Sequence, residues 1–242
     1  MLRPKLPVPF ILPKPIPRRL PERKRQMTIA AGFVCSNGLV LCADTEYTGS
    51  IRQTGPKVWV RETDSYTLAV AGAGDSALIR LVRNRLFERV DPTKAARDAE
   101  TELEQILKSV FADHIDNAPQ EVRYGGQYDV FVLVGVKRGV GCVLLEHSRT
   151  AVAWVESYAC VGTGAPVANY IAETMFASTM TVQQTVHVAC YLLKQTRRFG
   201  VMCGGDSHVI VIPASGPMEL VQPEQIKKLE HRRPRYRARA VQ

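Results

Sequence analysis

The chain has no stretch approaching the roughly 18–20 consecutive apolar residues that a membrane-spanning helix requires, so no membrane partner is expected. Histidine is scarce: the five in the sequence are isolated from one another, and structural or solvent-facing roles suit them better than catalytic ones. Cysteine is present six times (35, 42, 142, 160, 190, 203) but scattered, with no CxxC pair and no histidine at zinc-ligand spacing. That argues against a metal centre and against a disulfide framework. The cysteines read as small core residues of a protein in a reducing compartment, the cytoplasm. GxSxG, HExxH and the P-loop are all missing, and Gly72-x-Gly74 lacks the third glycine of a dinucleotide site. No cofactor is therefore expected.

Ordinary globular material is present in quantity. Of the 242 residues, 45% are apolar and 23% charged, which excludes a mostly disordered chain and provides for a sizeable core. The net charge of +9 resembles a nucleic-acid signal, but it is unevenly placed. Residues 1–26 carry eight Lys/Arg against one Glu, and residues 227–242 carry seven against one. The body between them, 27–226, is mildly acidic, with 17 bases against 21 acids. A nucleic-acid role for the basic tails is one reading, which the acidic body opposes. Nucleic acid is not an expected partner.

The seven prolines of residues 1–26 rule out a helix or a sheet ladder there and break up the only apolar patch a secretory signal would need. A start of translation at Met27, a removable propeptide and a retained arm all fit this basic, proline-rich extension. A single domain is expected over 27–230, and a basic disordered tail over 231–242.

Within the body, Ser36-Asn37-Gly38 between apolar runs predicts a hairpin of 28–35 with 39–43. A second hairpin joins 58–61 to 66–71. Gly72-Ala73-Gly74 ends that strand, and Asp75 caps a helix with Leu78, Leu81, Val82 and Leu86 on its apolar face. Asp91-Pro92-Thr93 opens another helix, with Ala96, Leu103, Ile106, Leu107 and Val110 as core. Strands are expected at 129–136, 141–146 and 151–159, and helices at 166–177 and, capped by Thr181, at 182–198. A strand at 208–212 and a short helix at 223–230 close the series. Runs of strands, each followed by a helix pair, predict two stacked sheets covered by helices on both outer faces.

Three residues remain that could carry chemistry. Thr28 begins the first strand, Asp44 ends the second and Lys57 opens the third. Two adjacent hairpins can bring these three positions to one sheet edge. Taken singly, Thr28 could merely begin a strand, Asp44 hold a turn and Lys57 be a surface base.

The segment Thr28-Ile29-Ala30-Ala31-Gly32, then Asn37 to Thr45, then Thr48-Gly49, resembles the opening of proteasome β-type subunits and their bacterial relatives, the N-terminal-nucleophile threonine hydrolases. Lys57-Val58-Trp59 is similar to that family's third strand, three residues early. Leu68 to Asp75 resembles its strand–Gly–helix junction, and Val161-Gly162-Thr163-Gly164-Ala165-Pro166 its Gly-Ser-Gly turn. The resemblance spans about residues 28–230 and implies an α+β fold, a four-layer αββα sandwich of two antiparallel sheets. It implies a threonine-type peptidase whose nucleophile is the hydroxyl of an N-terminal Thr28, exposed by removal of the preceding residues. The free α-amine, with an ordinary pKa of about 7.7–8.0, would be the base.

On the same resemblance Lys57 would keep neighbouring pKa values low, with Asp44 holding Lys57. Gly72 would present its N–H to the oxyanion, and Thr163 would place a hydroxyl near the α-amine. Thr48 would pair with an extended substrate, and Tyr47 and Val70 would shape its side-chain pocket. The implied partners are further copies in a homo-oligomeric ring, a peptide or unfolded protein as substrate, and an ATP-dependent unfoldase. Departures are equally visible. Gly200 and Cys203 stand where the family has Asp and Ser, Glu46 stands where a base is common, and Met27 rather than Gly precedes Thr28. A non-catalytic structural subunit of such a ring is the alternative.

Overall fold

A computed structural model describes residues 28–48, 52–90, 96–117, 130–199 and 203–232. The expected arm at 1–26, the Asp91-Pro92-Thr93 helix start and nearly all of the tail lie outside the described residues. Two five-stranded antiparallel sheets form the centre. The first runs β10 (Tyr158–Val161), β1 (Ala30–Cys35), β2 (Gly38–Asp44), β11 (Ser207–Pro213), β12 (Glu219–Leu220). The second runs β5 (Val58–Glu62), β6 (Tyr66–Gly74), β7 (Val130–Arg138), β8 (Gly141–Ser148), β9 (Ala151–Trp154). A small hairpin of β3 (Glu46–Thr48) and β4 (Arg52–Thr54) projects between them in sequence.

Helices α1 (Ser76–Arg89) and α2 (Ala96–Val110) cover the second sheet, and α2 continues into a π-helical turn at Phe111–Asp116. Helices α3 (Ala165–Met175), α4 (Val182–Phe199) and α5 (Pro223–Glu230) cover the first sheet. The expected αββα sandwich is what the chain forms. Among the described residues no helix is long and apolar enough to cross a membrane.

Strands buried on both faces must be apolar on both, and the side chains sort by parity. In β2, Val40 and Cys42 face α3 and α4, while Leu39, Leu41 and Ala43 face the other sheet. The layer between the sheets mixes these leucines with Ala30, Ala69, Ala71 and Ala73. Small residues there let the sheets approach: a Cβ on Gly32 would lie 2.8 Å from Leu144 Cδ2.

Local signals act as expected at several joints. Asp75 accepts hydrogen bonds from Ala77 N and Leu78 N at 2.9 and 3.0 Å. Thr181 and Gln184 form a reciprocal cap, Thr181 N–H donating to Oε1 at 2.9 Å and Gln184 N–H to Oγ1 at 3.3 Å. Asn37 serves twice, turning the first hairpin and accepting the Val182 N–H at 2.8 Å.

Two expectations are corrected. The single strand foreseen over 151–159 is two strands in different sheets: β9 pairs with β8, the chain breaks at Val155–Ser157, and β10 pairs with β1. The polar pair Glu156-Ser157 falls at the break, but sequence alone does not show that the halves belong to different ladders. The strand foreseen to end at Ala71 continues through Gly74, because Gly72, Ala73 and Gly74 remain paired with β7. Both β3–β4 and β12 are additional to the expected elements.

Two predictions follow from packing. His147 is buried on β8, bonded through Nδ1 to the Arg149 carbonyl at 3.0 Å, with Nε2 unpartnered. Burial lowers its pKa from 6.5 to about 4. The folded state therefore binds fewer protons than the unfolded state between those values. The stability is present above pH 6.5 and is lost as pH falls toward 4, by about 3 kcal/mol in all. Urea melts from pH 7 to pH 4 should show this slope, and His147→Phe should flatten it. Separately, a Cβ on Gly72 would lie 2.4 Å from Ile79 Cγ2. Gly72→Ala should cost about 1–3 kcal/mol by overpacking. In a double-mutant cycle the cost should shrink on an Ile79→Ala background; an unchanged cost would exclude the helix contact as its cause.

Candidate active site

The first β-hairpin turns so that Thr28 and Asp44 meet at one end of the first sheet, Asp44 N–H bonding the Ile29 carbonyl at 3.2 Å. Lys57, just before β5, reaches this end from the other sheet rather than from the same sheet edge, because β5 pairs with β6 in the second sheet. Its Nζ donates to Asp44 Oδ1 at 2.7 Å, to Thr28 Oγ1 at 2.8 Å and to the Glu46 carbonyl. An ammonium has three donors, so each finds an acceptor. Asp44 is equally occupied: Oδ1 also accepts the Ile29 N–H and Oδ2 the Gly204 N–H, both at 3.2 Å. Lys57 and Asp44 are 1% and 0% exposed. Burial lowers the Lys57 pKa and raises that of Asp44, and the attraction between the two opposes both shifts.

Thr28 N donates to Thr163 Oγ1 at 3.2 Å, so the hydroxyl foreseen near that nitrogen is there. The turn holding Thr163 lies tightly on Thr28. Gly164 N–H bonds the Thr28 carbonyl at 3.3 Å, and Gly162, at φ +98°, sits where a Cβ would be 2.2 Å from that oxygen. Tyr47 is a wall of the site: Lys57 Nζ lies 4.9 Å from its ring centroid, and its hydroxyl donates to the Pro56 carbonyl at 2.6 Å. Thr48 closes β3, its backbone opposite Arg52 of β4.

Thr28, Asp44, Lys57, Thr163 and Tyr47 are thus brought together. Two assignments drawn from the resemblance are not supported by the geometry. Val70 is wholly buried in the core under α1 and α2, because its parity on β6 points it at the helices, so it offers no surface to a pocket. The Gly72 N–H donates to the Lys57 carbonyl at 3.0 Å and so is not directed at an open oxyanion position. The absence of a side chain at Gly72 is explained by Ile79 of α1.

The structure adds participants that spacing did not single out. They are the Glu46 carbonyl and the Gly204 N–H, both backbone groups without a side-chain signature. The Gly204-Gly205 pair was the available signal, and its reason is close approach. A Cβ on Gly204 would lie 2.1 Å from Glu46 Oε2, and one on Gly205, at φ +72°, would lie 2.4 Å from Thr45 Oγ1. Cys203 is buried nearby, and burial raises its thiol to about 11, which keeps it protonated and unreactive. Among the described residues no group of three or more His, Cys, Asp or Glu is placed to hold a metal ion.

A hydroxyl held by a buried ammonium, beside a backbone nitrogen paired to a second hydroxyl, is the arrangement that an N-terminal nucleophile needs. No curated protein sequence matches the chain. Several solved structures share the fold at low identity. The Anbu ancestral β-subunit from Yersinia bercovieri superposes with a TM-score of 0.68 at 16% identity, covering 84% of this chain and 92% of that one. Anbu from Hyphomicrobium sp. strain MC1 gives 0.67 at 14%, with the same coverage. A helical assembly of the Anbu complex from Pseudomonas aeruginosa gives 0.65 at 18%, covering 77% and 81%. The family model for proteasome subunits matches residues 26–212, and the chain belongs to that family.

Proposed function

We propose that the protein is a threonine-type peptidase acting through Thr28 once residues 1–27 are removed. The observation that supports this most is the Lys57 Nζ–Thr28 Oγ1 contact of 2.8 Å, made by a lysine anchored on Asp44. Cleavage of the Met27–Thr28 bond converts the Thr28 amide into an α-amine, next to Thr163 Oγ1. That amine takes the proton of the Thr28 hydroxyl, directly or through a water, while Thr28 Oγ1 attacks a peptide carbonyl. The Oγ1–carbon bond forms, and the carbon–nitrogen bond breaks as the amine returns its proton to the leaving nitrogen. Water then hydrolyses the ester. Lys57 stabilises charge on Oγ1 and keeps the α-amine neutral at lower pH. For Gly72 to serve the oxyanion, its N–H has to leave the Lys57 carbonyl.

Two observations favour a second reading, a non-catalytic subunit. Thr28 is only 3% exposed, and its nitrogen in the full sequence is an amide, which is no base. Homo-oligomeric assembly suits either reading. It is supported by the exposed Tyr170 of α3 and Phe199 of α4, and by the helical assembly described for the Pseudomonas aeruginosa relative. An unfoldase partner and a cytoplasmic location stay as proposals drawn from the family.

Intact mass and N-terminal sequencing of protein from its own cells should give a chain beginning at Thr28; a chain that retains Met1 or Met27 sinks the peptidase reading. In the processed protein, Thr28→Ala and Lys57→Met should each reduce hydrolysis of an unfolded protein at least about a thousandfold. Thr28→Ala leaves one N–H of the buried Lys57 ammonium without its acceptor and should cost about 1–3 kcal/mol of stability. Lys57→Met strands the Asp44 carboxylate and should cost about 3–5 kcal/mol. Size-exclusion chromatography with light scattering should return a multiple of the chain mass, and a monomer would refute assembly.

A further inference from the structure

Basic side chains in the last turn of a helix commonly face its terminal carbonyls. Arg197, in the last turn of α4, instead reaches across to the loop before β11. Its Nη1 donates to the Gly205 carbonyl at 3.0 Å and to Ser207 Oγ at 2.8 Å, and its Nη2 pairs with Glu230 Oε1 at the end of α5. Ser207 Oγ donates to the same Glu230 oxygen at 2.7 Å, closing the network. Arg197 and Glu230 are 17% and 15% exposed, so this is not a solvated surface pair.

The loop so gripped is the one that supports Asp44. Gly204 N–H donates to Asp44 Oδ2 at 3.2 Å, Glu46 N–H to the Gly204 carbonyl at 3.3 Å, and Asp206 N–H to Thr45 Oγ1 at 2.8 Å. All three residues from Asp44 to Glu46 are tied to this turn. Two consecutive glycines have more backbone freedom to lose than any other pair, so a turn built on them needs an external hold. The Arg197 fork supplies one at Gly205, one residue from the Gly204 N–H.

We propose that Arg197, anchored by Glu230, is a positioning residue: it holds the Gly204–Asp206 turn so that the Gly204 N–H stays on Asp44, and through Asp44 it fixes Lys57 against Thr28. Its effect on hydrolysis rests on the peptidase reading above, whereas its effect on Asp44 does not. The charged and titratable groups around Asp44 are Lys57, Glu46, Tyr47 and Cys203. Arg197 itself acts on Cys203 through its charge, so Arg197→Lys, which keeps that charge, must show the shift as well.

The test uses the full chain with 13Cγ-labelled aspartate, the Asp44 resonance being assigned by its loss in Asp44→Asn. A carboxylate that loses an N–H donor is protonated more easily, so in Arg197→Met the Asp44 titration midpoint should rise by about one pH unit. Glu230→Gln should shift it less and in the same direction. In processed protein, kcat on a fluorogenic peptide should fall at least about tenfold, with KM within about twofold. An unmoved midpoint in a folded Arg197→Met chain overturns the proposal, even if the melting temperature drops. If Arg197→Met does not fold, Arg197→Lys replaces it: a single ammonium lacks the fork that spans Gly205, Ser207 and Glu230, so the shift must still appear. A shifted midpoint in a protein whose wild type hydrolyses nothing supports the positioning role and removes the peptidase reading.

Discussion

The Lys57 ammonium lies inside the protein with 1% of its side chain exposed, and water is replaced there by three acceptors: Asp44, Thr28 and the Glu46 carbonyl. A buried charge is tolerated only when its hydrogen bonds and its counter-ion are supplied in full. The positions of the acceptors are therefore constrained together. The Thr28 hydroxyl comes from the entry to β1, the carboxylate from the end of β2, and the lysine from the entry to β5 in the opposite sheet. The sandwich has to be closed at this end for the ion pair to exist, and the ion pair in turn fixes which way the Thr28 hydroxyl faces.

Support for that point is mostly backbone. Gly162 lets the 162–164 turn lie on the Thr28 carbonyl, and Gly204 and Gly205 let the loop before β11 lie on residues 44–46. At each place a β-carbon would enter a neighbouring oxygen at 2.1 to 2.4 Å. Two turns, one leading from β10 and one into β11, thus converge on the same few atoms. Arg197 and Glu230 connect the second turn to the last helix, so an element far along the chain bears on its start.

Much of the architecture was legible in sequence. Asp75 and Thr181 mark two helix starts through their own local hydrogen bonds, and Asn37-Gly38 marks a turn through the positive φ of Gly38. The apolar faces of α1 and α4 follow from periodicity, with Ile79 an additional buried residue of α1. What was not legible depends on partners remote in the chain. The run 151–159 reads as one segment, yet its halves pair with strands of different sheets. Val70 and Gly72 carried roles by resemblance, but their neighbours on α1 and on Lys57 give them other ones.

By itself the sequence determined most of the helices and longer strands, the two hairpins and the candidacy of Thr28, Asp44 and Lys57, because local propensity and spacing are properties of neighbouring residues. Only the tertiary structure decided that Lys57 is saturated by three acceptors, that Gly204 donates to Asp44 across 160 residues, and that Arg197 grips the loop beside it. Those contacts join segments whose separation in the chain carries no periodic signal, and they exist only once the two sheets have packed.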